Sequence, residues 1–508
     1  MKARRRRYRR YSAVAATLVV AGSFATACGN GKSILEIGQP KPTDSAAPSG
    51  TGRAQPTTVP STTAVPAAQL PPCPVHALDD VTKPVSITFW HAMNSDLEKT
   101  LKALTAQYNA SQSKVRVTLI NQTGYEQNIS KYKAASVSSR PNLVQMPEYV
   151  LQLMADSGTV IPVQSCVNAE GYSLDDLLPR ARAYYTLRGA LQGMPFNISN
   201  PVLFYNRARF AKAGLDPNKP PQSLEELRAD SEKIVSSGAA KYGIALDHSL
   251  DAGGGWFLEQ WSAKADALYA NNENGRAAPA TRVLFDGPTG VTLMTFLQDM
   301  VKDGLATDVG NLQSTPDNLL KLADPKQPAA MTINSTAALS SVLSLLKSGF
   351  APGFSPADLG IGPMPGPQVN PGTLVGGAAL WLTKGHSDVE TAATWDYVKF
   401  LLQPQVQSTW AAGTGYVPAD TSAVALNPIK AVYTADPRFK VAYEQLNAAA
   451  DTPVEAGPVL GPQREVRIVT SNAVEAILVG RADVQRTLTA AAARSNLLIA
   501  QWKSSVGG

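Results

Sequence analysis

Residues 85–119 read VSITFWHAMNSDLEKTLKALTAQYNASQSKVRVTL, and this stretch carries the strongest indication of fold class. Its first six residues include β-branched and aromatic side chains and predict a strand. A helix follows, capped by Asn94 or Ser95, because apolar residues then recur at the helical period. These residues are Leu97, Leu101, Leu104 and Tyr108. Apolar residues alternate again at 115–119, so the stretch predicts a strand–helix–strand unit of a largely parallel α/β sheet.

Similar patterns continue to the end of the chain. Further strands are predicted at 143–146 and 202–205, and a capping box of Ser223 and Glu226 begins another helix. Helical periodicity recurs at 293–301, 339–346, 389–402 and 474–502. Stretches rich in glycine and proline, where the chain can cross between domains, fall at 349–377 and 413–418. A chain of 508 residues with 44% hydrophobic content has room for two or three domains, and the pattern predicts two α/β lobes.

The first 27 residues have the composition of an export signal. Seven basic residues and no acid precede an apolar run at 13–24. A helix of that length spans roughly 18 Å, short of the ~30 Å hydrocarbon core, so a signal peptide is predicted rather than a membrane span. Cleavage before Cys28 fits ordinary processing or lipoprotein processing with a diacylglycerol on Cys28, and we expect the second. Ala25 departs from the leucine usual in a lipobox, and Arg9-Arg10 leaves a twin-arginine export route open.

Residues 28–84 are predicted to form a flexible linker between the lipid anchor and the globular body. Residues 29–80 contain no aromatic residue, and nine prolines lie between Pro40 and Pro74. Such a segment cannot bury enough apolar surface to offset its ordering entropy. If Cys28 carries lipid, Cys73 and Cys166 form an even pair in an oxidising compartment, so we expect a disulfide between them; two unpaired thiols are the alternative.

Charge and motif content argue against several classes of function. The formal charge of +6 falls close to neutrality without residues 1–27, so no general attraction to nucleic acid is expected. The chain has four histidines and neither an HExxH nor a GxSxG motif. Gly31-Lys32-Ser33 is similar to the end of a P-loop but lacks the first glycine of that motif. No motif in the chain indicates catalysis, and a facing pair of carboxylates of the kind a glycosidase uses stays open among the forty acidic residues.

A series of different short motifs lies between residues 85 and 505. General ones are Phe204-Tyr205-Asn206, Ala213-Gly214-Leu215 and Gly415-Tyr416-Val417-Pro418. Narrower ones are Phe89-Trp90-His91-Ala92-Met93, Tyr125-Glu126-Gln127-Asn128, Pro195-Phe196-Asn197 and Gly376-Gly377-Ala378. In these motifs the chain resembles the extracytoplasmic solute-binding proteins of ABC importers. The narrower motifs are most similar to the members that bind glycerol 3-phosphate or glycerophosphodiesters.

The resemblance implies a two-lobed periplasmic-binding-protein-like α/β fold of type II, with the ligand in a cleft between lobes joined by several hinge crossings. The first lobe would take 85–195 and 373–414, and the second 196–372 and 415–508. The implied function is capture of glycerol 3-phosphate or a glycerophosphodiester such as glycerophosphocholine, and delivery to the transmembrane subunits of an ABC permease. The resemblance also implies a monomer that is not an enzyme and needs no cofactor or metal. It would be lipid-anchored to the outer face of the cell membrane.

The resemblance also implies a set of ligand-binding residues. Arg467 matches a phosphate-binding arginine, whose planar fork suits two phosphate oxygens; a salt bridge to Glu465 or another carboxylate is the alternative reading, and Arg464 competes for the role. Glu148 matches an acceptor for glycerol hydroxyls. The remaining matches are Tyr125 and Tyr416, the hydroxyl donors Ser199 and Ser335, and Gly377 or Gly376 as an amide donor. Ile198 stands where relatives often have a second serine.

The region 246–261 corresponds to the end of the cleft, and more than one of its residues is a candidate to close it. Relatives close it with tryptophan, and this chain offers Trp256 or Trp261. We expect a wider cleft there that accepts a diester with a bulky cationic alcohol, which an aromatic ring attracts through cation–π contact. An oligosaccharide of the maltodextrin type is the alternative ligand, and a secreted phosphodiester hydrolase is a remote alternative function.

Overall fold

The computed structural model of the protein describes residues 69–250, 254–310, 317–369 and 372–506. The predicted signal peptide, Cys28 and residues 29–68 of the predicted linker lie outside the described residues. Among the helices of the described residues, none combines the length and the apolar character that a membrane crossing requires.

The strands are numbered here in chain order. They are β1 Val85–His91, β2 Val115–Asn121, β3 Leu143–Pro147, β4 Val160–Ile161, β5 Thr186–Leu187, β6 Ala190–Leu191, β7 Met194–Ser199, β8 Pro201–Asn206, β9 Tyr242–Leu246, β10 Ala306–Asp308, β11 Ala329–Ser335, β12 Leu359–Pro363 and β13 Gly376–Thr383. The strands predicted at 85–90, 115–119, 143–146 and 202–205 correspond to β1, β2, β3 and β8.

Two mixed sheets contain all of these strands except the β5–β6 hairpin. The first has the order β2-β1-β3-β13-β4, with β7 also paired to β13; the second has the order β10-β9-β11-β8-β12. Parallel pairing joins β1 to β2 and β3 in the first sheet, and β9 to β10 and β11 in the second. β13 and β8 run antiparallel to their neighbours, so neither sheet is wholly parallel. We call the parts built around these sheets the first and second lobes, and the α/β two-lobed fold class is confirmed.

The helices surround the sheets. They are α1 Ser95–Ser111, α2 Tyr125–Ala134, α3 Leu151–Asp156, α4 Val163–Glu170, α5 Pro179–Tyr185, α6 Arg207–Lys212, α7 Leu224–Ser236, α8 Gly254–Lys264, α9 Asn271–Gly275, α10 Pro288–Lys302, α11 Asp317–Leu320, α12 Leu339–Lys347, α13 Asp388–Leu402, α14 Pro404–Thr414, α15 Ile429–Ala435, α16 Val441–Ala448, α17 Pro453–Ala456, α18 Gln463–Leu478 and α19 Val484–Val506. The periodic stretch 474–502 is therefore divided between two helices, which are separated by residues 479–483.

The chain passes between the sheets at Asn200, which separates β7 from β8. This residue is fully buried, and its side-chain amide donates to the carbonyl of Ala442 at 2.8 Å. Along β8, Val202 and Phe204 belong to one hydrophobic cluster and Leu203 to another, as the alternation of a strand requires. One buried strand therefore contributes to both parts of the core next to the crossing.

The end of the predicted linker packs against the first lobe. Cys73 and Leu78 are buried, and the ammonium group of Lys114 donates to the carbonyls of Leu78 and Asp79. A disulfide joins Cys73 to Cys166 in α4, which is the pair expected from the cysteine count. Composition placed residues 69–84 in the linker, but the disulfide and these contacts hold them on the globular body.

Candidate ligand-binding site

A small cavity of about 150 Å³ lies between elements of the two lobes. Its lining includes the eight residues first expected to contact ligand: Tyr125, Glu148, Ser199, Trp256, Ser335, Gly377, Tyr416 and Arg467. Tyr149 and Ala337 line it as well. Three larger depressions of about 700 to 740 Å³ lie elsewhere and contain none of the eight predicted residues.

Strand ends place several of these groups. Glu148 directly follows β3, and Ser199 is the last residue of β7 in the same sheet. Ser335 is the last residue of β11 in the second sheet. Ligands of open α/β sheets bind in the crevice outside strand ends, where the backbone turns away and side chains face solvent or a solute. The cavity therefore lies at strand ends of the first sheet on one side and of the second sheet on the other.

Arg467 is buried, with 2% of its side chain exposed, and binds two carboxylates. Its Nε and Nη2 donate to the two oxygens of Glu259 at 2.8 and 2.7 Å, and its Nη1 donates to Glu148 at 2.9 Å. Glu259 lies on α8 and Arg467 on α18, both in the second lobe, whereas Glu148 belongs to the first. The ion pair expected as an alternative to phosphate binding therefore exists, with Glu148 and Glu259 as partners in place of Glu465.

The guanidinium retains donors for a ligand. It has five N–H groups, and three of them make the bonds to Glu148 and Glu259. The other two form no hydrogen bond with the described residues. The Tyr149 ring also lies against Arg467, with its centroid 4.9 Å from Cζ. Arg467 can therefore line the cavity, bridge the lobes and still donate to a solute.

The three buried charges perturb one another. Burial raises the pKa of Glu148 to about 7, Glu259 contributes in the same direction, and Arg467 opposes the change. Burial disfavours the charged form of Arg467, but Glu259 and Glu148 hold its pKa well above the usual value. One cation thus faces two carboxylates, and the proton on Glu148 is lost near neutral pH.

A chain of amide side chains positions Tyr125. Gln145 accepts from the backbone N–H of Ala92 at 2.8 Å and donates to Asn197 at 2.7 Å. Asn197 in turn donates to the Tyr125 hydroxyl at 2.9 Å. Burial, followed by the neighbouring Tyr416, raises the pKa of Tyr125 well above its usual value, so the phenol keeps its proton. A neutral phenol can donate to a solute oxygen.

Two glycines allow close packing at the wall of the cavity. Gly377 has φ +94°, and a Cβ there would lie 1.9 Å from the carbonyl oxygen of Asn197. At Gly376 a Cβ would lie 2.4 Å from Cζ2 of Trp256. Trp256 therefore crosses from the second lobe and packs on the backbone of β13. Its Nε1 is buried and has no hydrogen-bond partner among the described residues.

The alternative candidates Trp261, Arg464 and Gly376 lie outside the cavity lining, as does Ile198 at the position of the relatives' second serine. Trp261 is fully buried, stacks on Phe257 and donates to the carbonyl of Pro365, so it belongs to the core of the second lobe. Ile198 is fully buried in β7. Arg464 forms ion pairs with Glu126 and Glu465. Of the two tryptophans proposed to close the cleft, the cavity contains Trp256.

Glu259 and Tyr149 were not found by sequence reasoning. Glu259 follows Trp256 by three residues on α8, so the two share a helix face. That spacing could have pointed to Glu259, because an acid on the same helix face as a cavity tryptophan is buried and a buried carboxylate needs a cationic partner. Tyr149 follows Glu148 directly and donates to Glu126 at 3.1 Å. Within the described ranges, no group of three or more His, Cys, Asp or Glu side chains is placed to hold a metal ion.

The fold and this cavity define a two-lobed solute-binding protein, and comparison with known proteins agrees. Residues 103–441 match the family described as bacterial extracellular solute-binding protein, and the chain belongs to that family. It is 29% identical over 425 residues to the sn-glycerol-3-phosphate-binding periplasmic protein UgpB of Pectobacterium atrosepticum, covering 82% of this chain and 92% of that protein. The Salmonella typhimurium protein of that name is 28% identical, with coverages of 83% and 94%. The resemblance to ABC solute-binding proteins of the glycerol-3-phosphate type is confirmed.

Solved structures share the fold at lower identity. UgpB from Mycobacterium tuberculosis in complex with glycerophosphocholine has a TM-score of 0.68 and 21% identity, covering 82% of this chain and 98% of that one. The cyclic alpha-maltosyl-1,6-maltose binding protein from Arthrobacter globiformis has a TM-score of 0.66 and 22% identity, with coverages of 82% and 99%. These two proteins bind different classes of solute, so the fold alone does not identify the ligand.

Proposed function

We propose that the protein captures glycerol 3-phosphate or a glycerophosphodiester such as glycerophosphocholine outside the cytoplasm and delivers it to the permease of an ABC importer. The observation that carries the proposal is that all eight residues implied by resemblance line one cavity. They come from eight separate elements or loops distributed between residues 125 and 467. Such convergence is not expected of residues whose motifs only serve packing.

The groups around the cavity suit a phosphorylated polyol. The two N–H groups of Arg467 that form no hydrogen bond with the described residues can donate to phosphate oxygens, which gives charge-assisted hydrogen bonds. Tyr125, Tyr416 and the serines Ser199 and Ser335 supply hydroxyl groups, while Glu148 is an acceptor for glycerol hydroxyls. Trp256 adds an apolar face and an indole N–H that has no hydrogen-bond partner in the part of the chain that the structure describes. Catalysis is not part of the proposal, and the bound solute leaves unchanged.

The volume of the cavity favours a small solute. About 150 Å³ is well below the roughly 300–1,000 Å³ of pockets that take drug-sized ligands. A maltodextrin would need a larger opening between the lobes than this arrangement provides. The glycerol-phosphate portion of the proposed ligands is compact, and an alcohol beyond the phosphate would extend past Trp256.

Delivery would depend on contacts between the lobes. Glu148 and Arg467 bridge them beside the solute, so ligand contacts on both sides favour the arrangement in which the lobes are together. The permease would recognise that arrangement. We also propose that residues 1–27 direct export and that Cys28 carries the lipid anchor. Labelling with a radioactive fatty acid tests the anchor, and the label should be lost in Cys28→Ser.

The first experiment is a thermal-shift and calorimetry panel on the wild-type protein. Glycerol 3-phosphate, glycerophosphocholine and a maltodextrin are the ligands. A ligand that binds only the folded state raises Tm by mass action, and we expect this for one or both phosphorylated glycerols. A response to the maltodextrin alone would overturn the proposed ligand and favour the sugar alternative.

A matched pair of tyrosine variants then tests the cavity. Tyr125→Phe removes one hydroxyl from the cavity and should weaken binding by roughly threefold to tenfold, as expected for loss of one hydrogen bond. Tyr132→Phe removes the hydroxyl of another tyrosine on α2, which pairs with Thr159, and should leave affinity unchanged. Equal affinities of the two variants would argue against ligand binding at this cavity.

A further inference from the structure

Among the described residues that line the cavity, Arg467 is the only basic one, and Glu259 accepts hydrogen bonds from two of its five N–H groups. Glu259 is 2% exposed, and both of its oxygens accept from Arg467, at 2.8 and 2.7 Å. Both residues lie in the second lobe, on helices α8 and α18. Glu148 takes a third donor from the first lobe. No residue implied by the resemblance provides this second carboxylate.

The charge of the site follows from these contacts. With both acids ionised, Arg467, Glu148 and Glu259 together carry one negative charge. Arg464, the next arginine on α18, already pairs with Glu126 and Glu465. Arg276 donates only to backbone carbonyls, those of Ala183, Tyr184, Ala456 and Gly457. Among the described residues lining the cavity, Arg467 is therefore the sole cation, and Glu259 neutralises it.

This charge distinguishes between phosphorylated solutes. A phosphomonoester has a second pKa of about 6 and carries close to two negative charges at pH 8, whereas a phosphodiester carries one. In a partly buried site, one additional unit charge a few ångströms from a carboxylate changes a binding constant by roughly tenfold or more. A diester of a cationic alcohol has no net charge and meets the smallest repulsion from Glu148 and Glu259.

We infer that Glu259 is a specificity-determining residue, whose carboxylate neutralises Arg467 and thereby favours glycerophosphodiesters over glycerol 3-phosphate. The inference rests on the proposed function, because it assumes a phosphate beside Arg467. Glu148 can relieve part of the repulsion by taking up a proton, since its pKa is about 7. Glu259 is paired with Arg467 through both of its oxygens.

The test is a calorimetric series at pH 8 and constant ionic strength. Glycerol 3-phosphate, glycerophosphoglycerol and glycerophosphocholine share the glycerol-phosphate group and carry net charges of about −2, −1 and 0. In the wild-type protein we expect affinity to rise in that order, with glycerol 3-phosphate roughly tenfold or more weaker than glycerophosphocholine. Glycerophosphoglycerol binding as weakly as the monoester would attribute the preference to the choline group and overturn the inference.

The decisive variant is Glu259→Gln. We expect glycerol 3-phosphate to bind it roughly tenfold or more tightly than wild type, with a smaller change for glycerophosphocholine. Glu465→Gln is the matched control, because Glu465 pairs with Arg464 outside the cavity, and it should keep the wild-type ratio. An unchanged ratio in folded Glu259→Gln would overturn the inference.

Two other results are possible: Glu259→Gln fails to fold, or the wild-type protein binds none of the three ligands. If Glu259→Gln does not fold by circular dichroism, the wild-type series decides, and monoester binding equal to or tighter than diester binding overturns the inference. If none of the three ligands binds the wild-type protein, the proposed function fails and the inference fails with it. A failed inference with intact binding leaves the proposed function standing.

Discussion

Arg464 and Arg467 lie one helical turn apart on α18, and both reach a carboxylate of the first lobe. Arg464 binds Glu126 and Arg467 binds Glu148. Each arginine also has a second acidic partner, so the local charge balance is the same. The difference is solvent: 27% of the Arg464 side chain is exposed, against 2% for Arg467. Two similar bridges between lobes therefore differ in energetic weight because only one is removed from water.

The buried bridge should respond most strongly to loss of its cation. Arg467→Ala leaves Glu148 and Glu259 buried without a partner, and we expect a loss of about 3–5 kcal/mol in the free energy of unfolding. Urea denaturation followed by circular dichroism measures it. The triple variant Arg467→Met with Glu148→Gln and Glu259→Gln removes all three charges and should recover much of the loss. A cost below about 1 kcal/mol for Arg467→Ala would mean that water reaches the acids.

The second prediction concerns pH. The pKa of Glu148 is about 7 in the folded protein, above the value of about 4.3 for an unfolded glutamate. Between these values the folded state holds a proton that the unfolded state has lost, so stability falls as pH rises from about 4.5 to 7 and then levels off. The loss of stability over this range is roughly 3–4 kcal/mol, because each pKa unit corresponds to about 1.4 kcal/mol. Urea unfolding of Glu148→Gln should lack this fall, and a slope equal to that of wild type would contradict the assignment.

The partly exposed bridge between Arg464 and Glu126, whose side chains are 27% and 17% exposed, should show the smallest effect. Arg464→Ala and Glu126→Gln should each cost about 1 kcal/mol or less, with a coupling of about 0.2–1 kcal/mol in a double-mutant cycle. High salt should weaken the coupling, since exposed charges are screened over ~8 Å at physiological ionic strength. Urea unfolding of the four proteins at low and high salt measures both quantities. A salt-independent coupling above about 2 kcal/mol would show that exposure is not what separates the two arginines.

Much of the fold followed from local patterns. The strand–helix–strand unit at 85–119 reappears as β1, α1 and β2, and the capping-box position Ser223 does accept the N–H of Glu226. The stretch 474–502 was less well described, because helical periodicity continues across Gly480 while the chain divides into α18 and α19. Periodicity reports which residues are apolar and cannot register a change of direction between two helices that both bury an apolar face.

The sequence predicted most of the cavity residues but left two pairs of candidates unresolved. Motif order identified the residues that line the cavity, but it could not separate Trp256 from Trp261, which are both buried. Trp256 packs on Gly376 at the cavity wall, whereas Trp261 stacks inside the second lobe. Arg464 and Arg467 were likewise ambiguous, because both lie near the start of one helix and each has an acid within reach.

The amino-acid sequence by itself determined the α/β class, the family resemblance and the residues from which a binding site is made, since periodicity, cysteine count and motif order are properties of the linear chain. Only the tertiary structure decided that Arg467 shares its donors with Glu259, 208 residues away. The physical reason is that burial and charge compensation depend on distances between lobes and helices. Those distances are set by tertiary packing, so the net charge around a bound solute is also set by tertiary packing.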